Sequence, residues 1–396
     1  MAVDYSSFFG VKKTDGIYCI GLGTVNPIAD DCSQFRAALS VLKKGIAKTG
    51  EAEPRVGGVV THFSTKDKYF RMANQAMLEA LNDAGISRDE LKGNPRIGMV
   101  LGTSFGNIAM LEESIKNPLK KKAEAAYHPS LSATLGYLAV YLRRKYKFSG
   151  PNYTLSNTCV SGINAIGLGF HLLNSGQVDY CIVGSIEIIG DLIYRGMKAL
   201  NALGSGTQLQ PFAGNRDGMI LGEGAGFLIF ANQKKPKSYG TITGYAITND
   251  GTHLTAPDRQ GQGLIKAIEQ SMGMAGIGAK ELDSIFCGGN GTLYNDAMQA
   301  LAIGHLQLQA FNPIPVTSIK PLIGHTLGAS GTIESIAAFL MIQSGWLIPM
   351  APDYQLDPNL TPIPLLRKKV QTPINRALLI SAGFSGVNGA LILERD

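Results

Sequence analysis

The sequence predicts a duplicated, parallel-rich α/β fold, on three observations. Apolar runs of strand length alternate with amphipathic helical stretches along the chain, the pattern of βαβ units. The alternation fills two comparable blocks and restarts after the polar run Asn232–Ser238. The chain has 396 residues, more than the roughly 250–300 at which single cores stop growing. The expected division is 1–232 and 233–396.

Each element follows from its own pattern. Gly16–Gly23 reads as a buried strand ending in glycines, and 33–48 as helical. Arg71–Ala84 is an amphipathic helix stopped at Gly85, where a left-handed conformation costs nothing. Arg96–Gly102 is a strand, and the polar stretch 106–149 is mostly helical. Then come a strand at Tyr153–Ser156, a helix at 162–174 and strands at Tyr180–Ser185 and Gly226–Phe230. The second block repeats the pattern: strand 239–246, helix 261–275, strand 284–287, helices 294–309 and 328–344, and strands 377–381 and 389–393.

Composition narrows the function. Apolar residues make up 45% and charged residues 17%, which excludes a disordered chain. The net charge is +6, but Lys and Arg are dispersed and show no nucleic-acid-binding pattern. The clusters Lys120–Lys122 and Lys234–Lys237 read as solvated faces or as docking points for an acidic partner. The five cysteines are scattered and unpaired in spacing, which argues against a disulfide framework or zinc site and fits a reducing, cytoplasmic compartment. No apolar stretch reaches 18 residues and no secretory leader is visible, so neither a membrane span nor secretion is expected. The spacings also fit neither a Walker nor a dinucleotide glycine pattern. No metal or redox cofactor is expected.

Residues 153–174 place Cys159 between a strand and an apolar helix. A helix N-terminus offers free N–H donors and partial positive charge. A thiolate there can have its pKa lowered to roughly 3.5–7.5, and the turn N–H groups can serve as an oxyanion hole. On geometry alone, a nucleophile and a buried inert thiol both remain open.

Five blocks then carry a family resemblance. Asn157–Gly162 (NTCVSG), followed by Val178–Glu187 (VDYCIVGSIE), resembles the active-site cysteine segment of elongating β-ketoacyl synthases. Pro211–Gly226 is similar to that family's glycine-rich segment, and Thr252–Gly263 to its His-x-Thr-x-Pro segment. Lys320–Ser335 (KPLIGHTLGASGTIES) resembles its Lys…Gly-His motif, and Gly383–Leu391 its C-terminal Gly-Phe turn. The order is the family's across nearly the whole chain. The resemblance implies a thiolase-like duplicated, layered α-β-α-β-α sandwich. It also implies transfer of an acyl group from a carrier-protein or coenzyme A thioester to Cys159, followed by condensation with a malonyl thioester.

The same resemblance assigns roles. His325 becomes a catalytic histidine that can donate to the enolate oxygen, Lys320 tunes the site electrostatically, and Glu334 pairs within that network. The N–H groups of Cys159 and Phe384 become the oxyanion hole, with Phe384 gating the pocket. Phe105 falls where the family lines its acyl channel. Arg216, Asp217, Glu223 and the glycines around them read as mainly architectural, and His253 as an entrance residue.

One loop departs from the pattern. The family's His-Gly-Thr-x-Thr reads Asn290-Gly291-Thr292-Leu293-Tyr294, and an expected glutamate is Gln299. Asn290 therefore takes the first histidine's place, and Tyr294 replaces a threonine expected, with Thr292, at the pantetheine arm. Asparagine cannot exchange a proton near neutral pH, but its amide can donate to an oxyanion. Acyl loading should survive; malonyl decarboxylation is the step in question. The main expectation is a ketosynthase-like acyltransferase. The alternatives are a non-condensing, chain-length-factor-like partner, an acyl-transfer-only variant and a thiolase. The last wants a second cysteine near the C-terminus, and none follows Cys287. Expected partners are an acyl-carrier protein and a second subunit, as homodimer or ketosynthase heterodimer.

Overall fold

The computed structural model describes residues 16–49, 55–63, 67–116, 134–351 and 353–396. Ten strands form its main sheet. They are β1 (Ile17–Val25), β2 (Ile97–Gly102), β3 (Asn152–Leu155), β4 (Tyr180–Glu187), β5 (Gly224–Ala231), β6 (Gly240–Asn249), β7 (Ser284–Phe286), β8 (Val316–Thr317), β9 (Arg376–Gly383) and β10 (Val387–Glu394). Their order is β8-β7-β9-β10-β6-β1-β5-β4-β2-β3. A short antiparallel seam, Ile17–Cys19 against Gly240–Ile242, joins β1 to β6.

Outward from that seam, each side lays down its first, fifth, fourth, second and third strand. In both, the fifth strand is antiparallel to its neighbours and the other four are mutually parallel. The pattern that restarts in the sequence is thus a repeated strand order in space.

Alternation along the strands builds three cores. On β4, Cys181 and Val183 face a central core while Ile182 and Ile186 face an outer one. On β9, Ala377 and Leu379 face the same central core, and Leu378 and Ile380 a third. Burial on both faces explains why these strands read as continuous apolar runs.

Six helices complete the layers: α1 (Lys68–Asp83), α2 (Ser161–Asn174), α3 (Asp191–Ala199), α4 (Gln262–Ala275), α5 (Leu293–Gln307) and α6 (Ser330–Ser344). α1 covers β1 and β5; α4 covers β6 and β10 and carries α5. α2 and α6, the most apolar helices, fill the central layer, as expected of helices with no polar face. They meet at glycines. A Cβ on Gly162 would stand 2.9 Å from Thr332 N and 3.0 Å from Gly331 Cα. The result is the expected α-β-α-β-α stack.

Some local expectations change. The helix expected over 33–48 ends at Ser40, because Leu42 takes a left-handed φ of 56° and 46–49 pairs with 55–58 as a ribbon. Within 106–149 the structure holds helices Ile108–Lys116 and Tyr137–Tyr146; Lys120–Lys122 lie outside the described residues. Helix α3 was not expected. No helix among the described residues is long and apolar enough to cross a membrane.

Candidate active site

The candidate residues gather where parallel strands end. Phe105 follows β2, Cys159 follows β3, Asn290 and Thr292 follow β7, Lys320 and His325 follow β8, and Phe384 follows β9. Carboxyl ends of parallel strands are where open α/β sheets bind ligands.

Cys159 is aimed by a strained turn. Thr158 before it has φ 51°. The Thr158 carbonyl accepts the Ser104 hydroxyl at 2.9 Å and the Ser161 hydroxyl at 2.6 Å, and its own hydroxyl donates to the Phe384 carbonyl at 3.3 Å. Gly383 is required here: a Cβ would press on Thr158 Oγ1 and stand 3.2 Å from Cys159 N. The oxyanion-hole pair predicted from sequence, Cys159 and Phe384, is thus brought together. Leu327, in the apolar cluster beside Cys159, and Ser385, next to Phe384, are likewise described non-glycine residues with positive φ. Strain kept at such positions marks functional sites.

The thiol borders an apolar cluster of Ile193, Met197, Ala202, Met219, Leu221 and Leu327, with Phe105 and Phe384 packed on it. Burial there pushes the Cys159 thiol up to about 12, against the Lys320 charge, which lowers it. Glu187 and Glu334 raise it further. Desolvation of the charge outweighs the helix terminus at this turn.

The polar half of the site is buried. The Lys320 side chain, 1% exposed, pairs with Glu334. His325 is fixed through its backbone: its N–H donates to the Ile220 carbonyl at 2.7 Å and its carbonyl accepts from Gly222 N–H at 2.8 Å. Its Nδ1 lies 3.1 Å from Ser330 Oγ, which lies 3.1 Å from Thr326 Oγ1. Burial, then the Lys320 charge, hold His325 well below the usual histidine range, so its ring is neutral. A Ser330 hydroxyl donating to Nδ1 would leave the ring proton on Nε2.

The glycine-rich segment supports the site rather than facing substrate. Arg216 pairs with Asp357 at 2.7 Å and faces Asp296 at 3.8 Å. Glu223 binds Lys68 and accepts the N–H groups of Val60 and Ile189, both at 3.0 Å.

Comparison with known proteins now decides the family. The β-ketoacyl synthase N-terminal domain matches residues 30–235, and the C-terminal domain matches 239–352. The chain belongs to the β-ketoacyl synthase family. It is 28% identical to 3-oxoacyl-[acyl-carrier-protein] synthase 2 of Staphylococcus aureus (strain COL), over 97% of this chain and 99% of that one. A solved complex of a type II polyketide-synthase acyl-carrier protein with its ketosynthase bound to the hexaketide contains a chain similar to this one at TM-score 0.88 and 25% identity, over 96% of this chain and 99% of that one. A solved complex of a ketosynthase with its chain length factor from Xenorhabdus doucetiae contains a chain similar at TM-score 0.84 and 26% identity, over 96% and 98%. The fold is the thiolase fold of these ketosynthases.

In this β-ketoacyl synthase, the Asn290 loop is held by hydrogen bonds of its own side chains. Asn290 Oδ1 accepts the Thr292 N–H at 3.0 Å and its hydroxyl at 2.8 Å, so the amide NH₂ is the group left for a ligand. The Thr292 hydroxyl is therefore already donated within the turn. Buried Asp296 accepts the N–H groups of Asn290 (2.9 Å) and Phe212 (2.8 Å). Gln299 accepts Gly288 N–H at 2.9 Å and donates to Asn295 at 3.0 Å. Tyr294 is 59% exposed and lies under the Arg259 guanidinium, 5.8 Å from its ring centroid. His253 is exposed, its Nδ1 accepting from Thr255 and Ala256 N–H at 3.1 and 3.0 Å.

Two findings differ from the sequence reading. Lys234–Lys237 lie at the opposite end of the sheet: Lys235 sits over Tyr180, the first residue of β4, and Lys237 pairs with Asp83. They cannot rim the Cys159 site. Ser104, Ser330 and Glu187 were missed as site residues; a lone carboxylate ending the apolar run YCIVGSIE was the available signal.

Proposed function

We propose that this protein accepts an acyl group from a phosphopantetheine thioester onto Cys159 and condenses it with a malonyl-carrier thioester, in fatty-acid or polyketide assembly. The observation that carries the reading is the meeting of a strained, pocket-lining thiol with a neutral buried histidine and a buried cation. The Cys159 proton leaves with the pantetheine thiol as the acyl–sulfur bond forms. Neutral His325 is available to relay it, and Lys320 favours the transient thiolate. Loss of CO₂ from the malonyl group then leaves an enolate oxygen for the Nε2–H of His325 and the amide of Asn290. The enolate carbon attacks the acyl carbonyl, whose oxyanion the N–H groups of Cys159 and Phe384 receive. Collapse breaks the carbon–sulfur bond and releases the Cys159 thiolate, which takes a proton from water to restore the thiol.

Phe105 bounds the acyl pocket, and Tyr294 contacts the pantetheine arm at the mouth. The chemistry needs no resident cofactor. Edge strand β3, paired on one side only and exposing Tyr153, supports a second subunit, either a copy or a chain-length factor. The free thiols suit a cytoplasmic setting.

One observation favours a narrower activity. Asn290 cannot accept or deliver a proton, which fits acyl transfer without extension. Intact-mass spectrometry decides between them after sequential mixing with acyl- and malonyl-carrier protein. An adduct on Cys159 followed by a β-keto product supports condensation. In that case Asn290→Ala should slow extension by about 10²-fold while loading persists. An adduct that never extends selects acyl transfer. No adduct with any chain selects the non-condensing partner role.

A further inference from the structure

Glu187 ends β4 with its side chain wholly buried. Its Oε1 accepts the Thr103 hydroxyl at 2.8 Å, the Ser104 N–H and the Phe105 N–H at 3.4 Å. Its Oε2 is buried and has no hydrogen-bond partner among the described residues. A buried carboxylate with an unmatched oxygen is costly to keep, and burial pushes this one up to about 7. The condensation described above makes no use of it.

Its neighbours do use it. Phe105, whose N–H it accepts, walls the acyl cluster. Ser104 passes its hydroxyl to the Thr158 carbonyl, one peptide before Cys159. The turn after His325 lies directly on the carboxyl: a Cβ on Gly328 would stand 2.8 Å from Oε1. Tyr69 of α1 faces it as well. Its charge reaches the Cys159 thiol, where Lys320 and Glu334 are the other charged groups acting.

We infer that Glu187 is a positioning residue that fixes the acyl-pocket wall through Phe105 and restrains the Cys159 thiol through its negative charge. The inference deepens, and rests on, the reading of Cys159 as acyl acceptor. It separates two effects that a purely structural carboxylate would not produce together.

Glu187→Gln removes the charge while its carbonyl oxygen can still accept the same donors. Iodoacetamide labelling of Cys159 across pH, read by intact mass, should show the thiol titrating lower by half a unit or more. Labelling at alkaline pH, where the Glu187 carboxyl is fully ionised, then rises about threefold or more. Glu187→Ala also frees the Phe105 loop. Its loading from a series of acyl-carrier thioesters should shift toward longer chains, by about tenfold in the long-to-short ratio. A folded Glu187→Gln whose labelling profile superimposes on wild type overturns the inference. So does a wild-type chain preference in Glu187→Ala or, if that variant does not fold, a wild-type labelling profile in Glu187→Gln. Wild-type loading is the internal control. Its absence overturns the condensing function and leaves the labelling comparison intact.

Discussion

Where β3 leads into α2, residues 156–160 make the turn; where β8 leads into α6, residues 318–329 do. Both turns put a non-glycine residue at positive φ three positions before the helix, Thr158 at 51° and Leu327 at 49°. Both helices open Ser-Gly, and those glycines meet in the central layer. The next position differs: Cys159 in one half, Gly328 in the other. The ends of β4 and β9 differ in the complementary sense. Glu187 lies against Gly328, and Gly383 against Cys159. One scaffold corner thus carries Cys159 and faces a glycine, while its counterpart carries a glycine and faces a carboxylate. The longer second turn brings in Lys320 and His325. Duplication supplied two equivalent corners, and a few side chains and the turn length divided the chemistry between them.

The largest expected effect breaks the first corner. Cys159→Ala should lower acyl loading by about 10³-fold or more while the melting temperature stays near wild type, because little apolar volume is lost. Mass spectrometry and thermal denaturation read the two quantities side by side.

The second corner should answer in the opposite currency. Lys320→Ala leaves Glu334 buried without its cation, a change worth about 3–5 kcal/mol, so denaturant unfolding should show a large stability loss. Burial already raises Glu334 and the Lys320 charge opposes that. The double variant Lys320→Met, Glu334→Gln should therefore recover much of the loss. No recovery would mean that Lys320 matters to folding by some route other than this pair. Gly328→Ala is the sharper and smaller test. Its Cβ would stand 2.5 Å from Ser104 N and 2.8 Å from Glu187 Oε1. Overpacking of this kind costs about 1–3 kcal/mol, and it should disturb loading on Cys159 although Gly328 lies in the other half.

Much of this was legible in the sequence because its signals are local. Strand-length apolar runs, glycine stops and the strand–turn–helix around Cys159 each follow from a few adjacent residues, and the resemblance singled out His325, Lys320 and Phe384, which follow β8 and β9. What escaped depends on distant partners. The polar segment 106–149 gave no boundary for its two helices, and α3 is short, with Gly196 in its middle. The helix terminus beside the thiol is visible in sequence, whereas the apolar cluster that desolvates it comes from residues 105 to 384. Glu187 carried no local signal of its own, because Ser104 and Gly328 reach it from distant segments.

The smallest expected effect concerns the far end of the same strand. Lys234–Lys237 suggested docking by charge alone, yet Lys237 pairs with Asp83, whose carboxylate also accepts the Leu22 N–H at 2.9 Å. β4 has eight residues, which at about 3.3 Å each separates Tyr180, under Lys235, from Glu187 by roughly 23 Å. The Lys237 side chain is 57% exposed, and exposed pairs contribute about 0–1 kcal/mol. Lys237→Ala should therefore barely move the melting temperature and leave the KM for an acyl-carrier thioester unchanged, with the loss of one surface charge fully screened at high salt. A several-fold rise in KM that disappears with salt would instead place carrier docking at the amino ends of the strands. The strand-end geometry that unites Cys159, His325 and Asn290 would then no longer define where the carrier protein approaches.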